Sequence, residues 1–180
     1  MSKALPETVK PDALVQAAEK LTGTVAVAHM SRLTPLLADT AVEAEVELAF
    51  GRDADRCRVI RGHVRAELTL VCQRCVQPMA FSVDSDILLG LVTSEDEAQR
   101  LPEYYEPLIC ATPTLDLRAV IEDELLLALP IVPMHAESLC TTRAAPEDTV
   151  AAAAKEESDE RRRPFAGLAD LLRQSRDTRR

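Results

Sequence analysis

Three long runs of strict alternation constrain this chain more than any other feature. Val42, Ala44, Val46, Leu48 and Phe50 alternate with Glu43, Glu45 and Glu47. Ile60, Gly62, Val64, Ala66, Leu68, Leu70 and Cys72 fall on one parity against Arg61, His63, Arg65, Glu67 and Thr69. After Pro78, Phe81, Val83, Ile87, Leu89 and Leu91 take one face, with Ser82, Asp84 and Asp86 on the other. A period of two belongs to a strand with one buried face. The turn residues Gly51-Arg52-Asp53-Ala54-Asp55 and the stretch Val71-Cys72-Gln73-Arg74-Cys75 separate the runs. The pattern therefore predicts a three-stranded antiparallel meander over 42–50, 58–72 and 79–92, with Cys72 and Cys75 straddling its second turn.

Around that meander the sequence predicts an α+β fold with helices packed on one face. Residues 1–11 read as a loose lead-in because of Pro6 and Pro11. Asp12 is placed to cap a short helix over 13–21, and Thr24 to Met30 reads as a strand. Ser31 to Ala38 forms a turn holding Pro35, and 94–100 forms a polar excursion or short helix. Residues 108–111 add one more strand. The block 115–129 is helical, started by Asp116 and stopped by Pro130 and Pro133. On a helical wheel, Leu117, Val120, Ile121, Leu125 and Ala128 share the apolar face with Glu124 in its middle; Glu122 and Asp123 point sideways and outward. A carboxylate on a core face needs a partner, and Arg74 and Arg118 are the candidates for Glu124.

The domain organisation follows: one α+β domain over 1–140, a linker over 141–163 rich in small residues and charges, and a flexible basic amphipathic tail over 164–180 with Phe165, Leu168 and Leu172 on one side. The last twenty residues hold seven arginines and two acids, a net +5, so the overall −9 leaves −14 on residues 1–160. An acidic body repels a phosphate backbone and suits a basic protein; the tail arginines Arg161, Arg162, Arg163, Arg173 and Arg176 suit RNA. No apolar run reaches membrane length, and the N-terminal residues lack the apolar core of a signal peptide, which predicts a soluble protein that is not exported. Five cysteines at irregular spacing fit a reducing compartment, the cytoplasm. With 3% aromatic residues and no tryptophan, a base-stacking platform has little to build on.

Three readings of the Cys72-x-x-Cys75 pair stay open: two reduced structural cysteines, half a zinc site, or a redox pair. A redox pair needs a helix N-terminus after it to lower the thiol pKa, whereas here a strand follows. Two cysteines in a hairpin turn resemble the knuckle of a zinc ribbon. The two further ligands it would need are His135 and Cys140, spaced H-x4-C beyond the helix; Cys57 and Cys110 are less well placed. The acidic triplet Glu122-Asp123-Glu124 invites a magnesium-dependent nuclease reading. Its three side chains diverge over about 200° of the wheel, which argues against a shared ion.

The turn, Leu70-Val71-Cys72-Gln73-Arg74-Cys75-Val76-Gln77-Pro78, also resembles the signature of the YceD family, the large ribosomal RNA subunit accumulation proteins. Leu101-Pro102-Glu103-Tyr104-Tyr105-Glu106-Pro107-Leu108, the helical block from Asp116 to His135, and Pro164-Phe165-Ala166-Gly167-Leu168-Ala169 are similar to further blocks of that family, in the same order. The resemblance implies a bacterial cytoplasmic protein needed for synthesis, processing or stability of 23S ribosomal RNA; it does not imply a catalytic site. The expected partners are a pre-ribosomal large-subunit particle, through its RNA and/or a basic ribosomal protein, with no membrane. The expected function is non-enzymatic; the alternative is a thiol-disulfide redox protein or a metal-dependent ribonuclease.

Overall fold

The computed structural model describes residues 3–136 and 139–140. The predicted linker over 141–163 and the tail over 164–180 lie outside the described residues. The order of elements is β1 (Thr8–Val9), α1 (Pro11–Ala17), β2 (Lys20–Ala26), β3 (Leu37–Asp39), β4 (Glu43–Arg52), β5 (Arg58–Val71), β6 (Pro78–Val92), α2 (Glu95–Ala98), β7 (Glu106–Ile109), β8 (Leu115–Asp116) and α3 (Leu117–Ala128). The architecture is α+β, with a six-stranded sheet ordered β2-β4-β5-β6-β7 and β3 pairing with β5. No described helix is long and apolar enough to cross a membrane.

The predicted meander forms as β4, β5 and β6, antiparallel throughout, with Val46 opposite Val64 and Leu68 opposite Phe81. Ala44, Val46, Leu48, Phe50, Ile60, Val64, Ala66, Leu68, Val83, Ile87, Leu89 and Leu91 are buried in one core. Their polar neighbours face outward, where Glu45 stands opposite Arg65, and Arg65 opposite Asp84. Arg65 donates to Asp84 across 3.2 Å, and His63 lies between Asp84 and Asp86. Like and unlike charges directly opposite on one sheet face decide such pairings.

Several boundaries differ from the sequence expectation. The first full strand runs over Lys20–Ala26, earlier than predicted, because Ala18 adopts a left-handed conformation (φ 49°) and ends α1 there. Helix α1 starts at Pro11 with Lys10 as its cap; Asp12 lies in the first turn and accepts from Arg58 at 2.8 Å. The lead-in is not loose: Leu5 N–H donates to the Thr24 carbonyl, and Thr24 N–H to that of Lys3. This close crossing is why position 23 is glycine, since a Cβ there would lie 2.1 Å from the Lys3 carbonyl oxygen. Farther on, β1 pairs with β8 and Leu117 N–H donates to the Glu7 carbonyl, so the N-terminal segment straps the start of α3. The edge strand of the six-stranded sheet, β7, is parallel to β6, reached by the crossover through α2.

Helix α3 begins as predicted: the Asp116 carboxylate accepts from Ala119 N–H at 3.1 Å. Leu117, Val120, Ile121 and Leu125 form its buried stripe. Of the two glutamates, Glu124 is buried as the wheel predicts and Glu122 departs from it. Glu122 is not turned outward; it is 5% exposed and accepts from the backbone N–H groups of Arg32 (2.6 Å) and Leu33 (3.0 Å) and from the Arg32 guanidinium. Burial works against its charge, but these donors outweigh it and hold its pKa below the usual carboxylate range. Glu124 is 8% exposed and has no hydrogen-bond or ion-pair partner among the described residues. Its candidate partners are engaged elsewhere, Arg118 with Glu7 and Arg74 near Met134. Burial, then the charges of Glu106 and Asp123, push its pKa up.

Opposite stability effects follow. A lowered folded pKa stabilises above the unfolded value and is lost as pH falls through it, so Glu122→Gln will cost about 1–3 kcal/mol at neutral pH and less in acid. A raised folded pKa penalises the fold at neutral pH, so Glu124→Gln will raise the melting temperature at pH 7, and the gain will vanish towards pH 4. Denaturant and thermal unfolding across pH check both signs.

Candidate metal centre

The turn between β5 and β6 is built to point sulfur inward. Cys72 is the residue after β5 on its buried parity, and its N–H donates to the Gln77 carbonyl at 2.9 Å. Val76 N–H returns to the Cys72 carbonyl at 2.9 Å, and Val76 takes a left-handed conformation (φ 59°). That tight loop brings Cys75 back beside Cys72, and both are buried. The segment beyond α3 closes over them. Pro130 ends the helix, and the Pro133 carbonyl accepts from Gln73 N–H at 2.8 Å, which fixes the next residues against the turn.

His135 and Cys140 thereby join the two hairpin cysteines. The Sγ atoms of Cys72 and Cys140 are 3.9 Å apart, and Cys75 Sγ lies 3.3 Å from His135 Nδ1. The four ligand atoms all lie within 4.8 Å of one another, forming a Cys3His cluster that could hold a metal ion. His135 Nε2 faces the Pro78 carbonyl at 3.2 Å; because that oxygen can only accept, Nε2 carries the proton and Nδ1 turns its lone pair towards the thiols. All five cysteines are free thiols.

The electrostatics of the cluster favour anionic sulfur. Burial opposes a Cys72 thiolate, yet N–H groups of Cys75, His135 and Arg74 outweigh it and bring its pKa down to about 5. The His135 N–H donates to Cys72 Sγ at 3.4 Å. Cys140 moves the other way, to about 11, through burial and then its contacts with Cys75 and Cys72. Hydrogen bonds to Cys75 and then Cys72 raise the pKa of His135. The backbone donors thus favour a thiolate at Cys72, while Cys140 and His135 are groups that a dication would strip of their protons.

The other candidates fall elsewhere. Cys57 lies at the β4–β5 turn and Cys110 packs against the core, neither in the cluster. Glu122, Asp123 and Glu124 do not converge: the first two engage Arg32 and the third faces away from it. Arg161, Arg162, Arg163, Arg173 and Arg176 lie outside the described residues. One feature escaped sequence reading, the Arg61–Tyr105–Asp53 chain. Tyr105 O–H donates to Asp53 at 2.9 Å and accepts from Arg61 at 3.0 Å, pinning the crossover onto the outer face of the sheet. Nothing in the local pattern marks it, since its members lie up to 52 residues apart.

With the fold and cluster in place, comparison with known proteins gives the class. The family described as large ribosomal RNA subunit accumulation protein YceD matches residues 60–172, from β5 through the cysteine turn, α3 and His135. A Haemophilus influenzae protein named large ribosomal RNA subunit accumulation protein YceD is 34% identical over 168 residues, 93% of this chain and 95% of that protein. The chain belongs to the YceD family. No solved structure matches it.

Titration with Co²⁺ tests the cluster. Binding will produce a near-ultraviolet thiolate-to-metal absorption that Cys72→Ser abolishes, and will release protons. Apparent affinity will therefore fall by about tenfold per pH unit for each proton displaced as the solution is made more acidic.

Proposed function

We propose that this protein is a non-enzymatic factor in large ribosomal subunit biogenesis, supporting 23S ribosomal RNA synthesis, processing or stability in the cytoplasm by binding. The observation that carries this reading is family membership: the Haemophilus influenzae relative, named for accumulation of large ribosomal subunit RNA, aligns over nearly the full length of both chains. The partners are the pre-ribosomal large-subunit particle and its RNA, with a basic ribosomal protein as a further contact of the acidic body.

The metal in this reading is zinc, held by Cys72, Cys75, His135 and Cys140. Tetrahedral zinc–thiolate bonds of about 2.3 Å place sulfurs about 3.8 Å apart, and the Cys72–Cys140 separation is 3.9 Å. Four protein ligands leave no open position for substrate, which is the arrangement of structural rather than catalytic zinc. Bound there, the ion supplies a cross-link between the β5–β6 turn and the segment beyond α3. This supports binding over chemistry. Strand β6, rather than a helix, follows the cysteine pair, so the dipole that activates a redox thiol is missing from that position.

The tail arginines Arg161, Arg162, Arg163, Arg173 and Arg176 supply the RNA contact. Each phosphate they neutralise contributes about −0.7 to −0.9 to the slope of log K against log salt. Protein purified without chelator will carry about one equivalent of zinc, following from one four-ligand site. In a sucrose gradient of lysate it will travel with large-subunit precursors, and deletion of residues 161–180 will weaken that association and flatten its salt slope. Sedimentation at the top of the gradient, with 23S and 16S RNA levels unchanged on gene deletion, would reject the ribosomal reading.

A further inference from the structure

Strand β6, the crossover before β7, and the last turns of α3 enclose a concavity of 360 Å³ that neither the metal cluster nor the tail uses. Its lining brings four carboxylates together, from Asp86, Glu103, Glu106 and Glu124, and contains no lysine or arginine. Asp86 already meets His63 at 2.9 Å. Glu103, Glu106 and Glu124 have no ion pair or side-chain hydrogen bond among the described residues. Glu124 decides the matter. It is more than nine-tenths buried, lines the cavity, and its oxygens are not among the fully enclosed polar atoms without partners, so its carboxylate opens into the concavity. An unpaired buried carboxylate costs stability in the free chain, and a cation bound in the cavity offsets that cost.

We propose that this pocket docks an arginine or lysine side chain of a basic partner protein, with Glu124 at its base as the pairing carboxylate and Glu106 and Glu103 beside it. A divalent metal fits less well. Among the described residues only the Cys72, Cys75, His135 and Cys140 group brings three or more ligand atoms close enough to share an ion. A long basic side chain matches the rest of the wall. Leu88 and Leu127 line the cavity and are exposed, offering apolar surface for the aliphatic stem, and Tyr104, 59% exposed, adds an aromatic ring to the same lining. The net −14 on residues 1–160 directs the surface to a basic protein segment rather than to nucleic acid. This surface deepens the proposed contact of the acidic body with a basic protein and rests on that part of the reading, not on the RNA contact of the tail.

The test is fluorescence anisotropy of the full-length protein with a fluorescein-labelled peptide alternating arginine and glycine. The wild type binds it, and the same peptide with citrulline in place of arginine does not bind. Glu124→Gln, folded by its thermal melt, weakens binding by about tenfold or more, as does Glu106→Gln with Tyr104→Ala combined. Glu43→Gln, an equal charge change on the exposed face of β4, weakens it by less than about twofold. Three results overturn the proposal: unchanged binding to Glu124→Gln, equal weakening by Glu43→Gln, which would mean diffuse acidity only, or displacement of the peptide by spermidine at equal total charge, which would make this a polyamine site. Sedimentation of the protein with pre-ribosomal particles is a separate readout, so either proposal can fail without the other.

Discussion

The pairing of β5 on both sides is the constraint on which the rest depends. Along one edge β4 pairs with residues 58–65 and β3 with Thr69 and Leu70, along the other β6 pairs with residues 59–71, and the buried parity of β5 supplies the centre of the core. A slip of one residue would drive Arg61, His63 and Arg65 inward and turn Ile60, Val64 and Leu68 to solvent, so the register has one low-energy solution. Both functional ends inherit their positions from that register. At its start, the Asp53 turn reaches Tyr105; at its finish, Cys72 follows on the buried parity.

The three consecutive acids of α3 show how one helix can hold carboxylates in three electrostatic states. Glu122 is buried and accepts from Arg32 and Leu33, Asp123 is exposed beside the same guanidinium, and Glu124 is buried without a partner among the described residues. The first ties a distant turn to the helix. The third is held with its pKa raised by burial and then by the charges of Glu106 and Asp123. Helical geometry forces the divergence, because successive side chains leave the axis about 100° apart.

The cysteine cluster and the acidic pocket use α3 from opposite sides. Beyond its C-terminal end, Pro130 and Pro133 direct the chain over the hairpin, where backbone donors favour thiolate. Along its flank, the carboxylates of the pocket favour a cation from outside.

What the sequence by itself determined was everything governed by short-range periodicity. The three meander strands, the helix with its Asp116 cap, and the placement of Cys72 and Cys75 on a strand-to-strand turn were all legible, because a period of two or 3.6 is visible within a dozen residues. His135 and Cys140 were legible as candidates by residue type and by the prolines before them. The pairing of Lys3 to Leu5 with β2, the strap of β1 on β8, the parallel β7 and the inward turn of Glu122 were not. Each depends on a partner far along the chain; Arg32 is 90 residues from Glu122. No local pattern encodes such a partner. Whether a carboxylate on a helix is paired, exposed or left unpartnered in a pocket is decided only when tertiary packing sets which charges come near it and how much water remains.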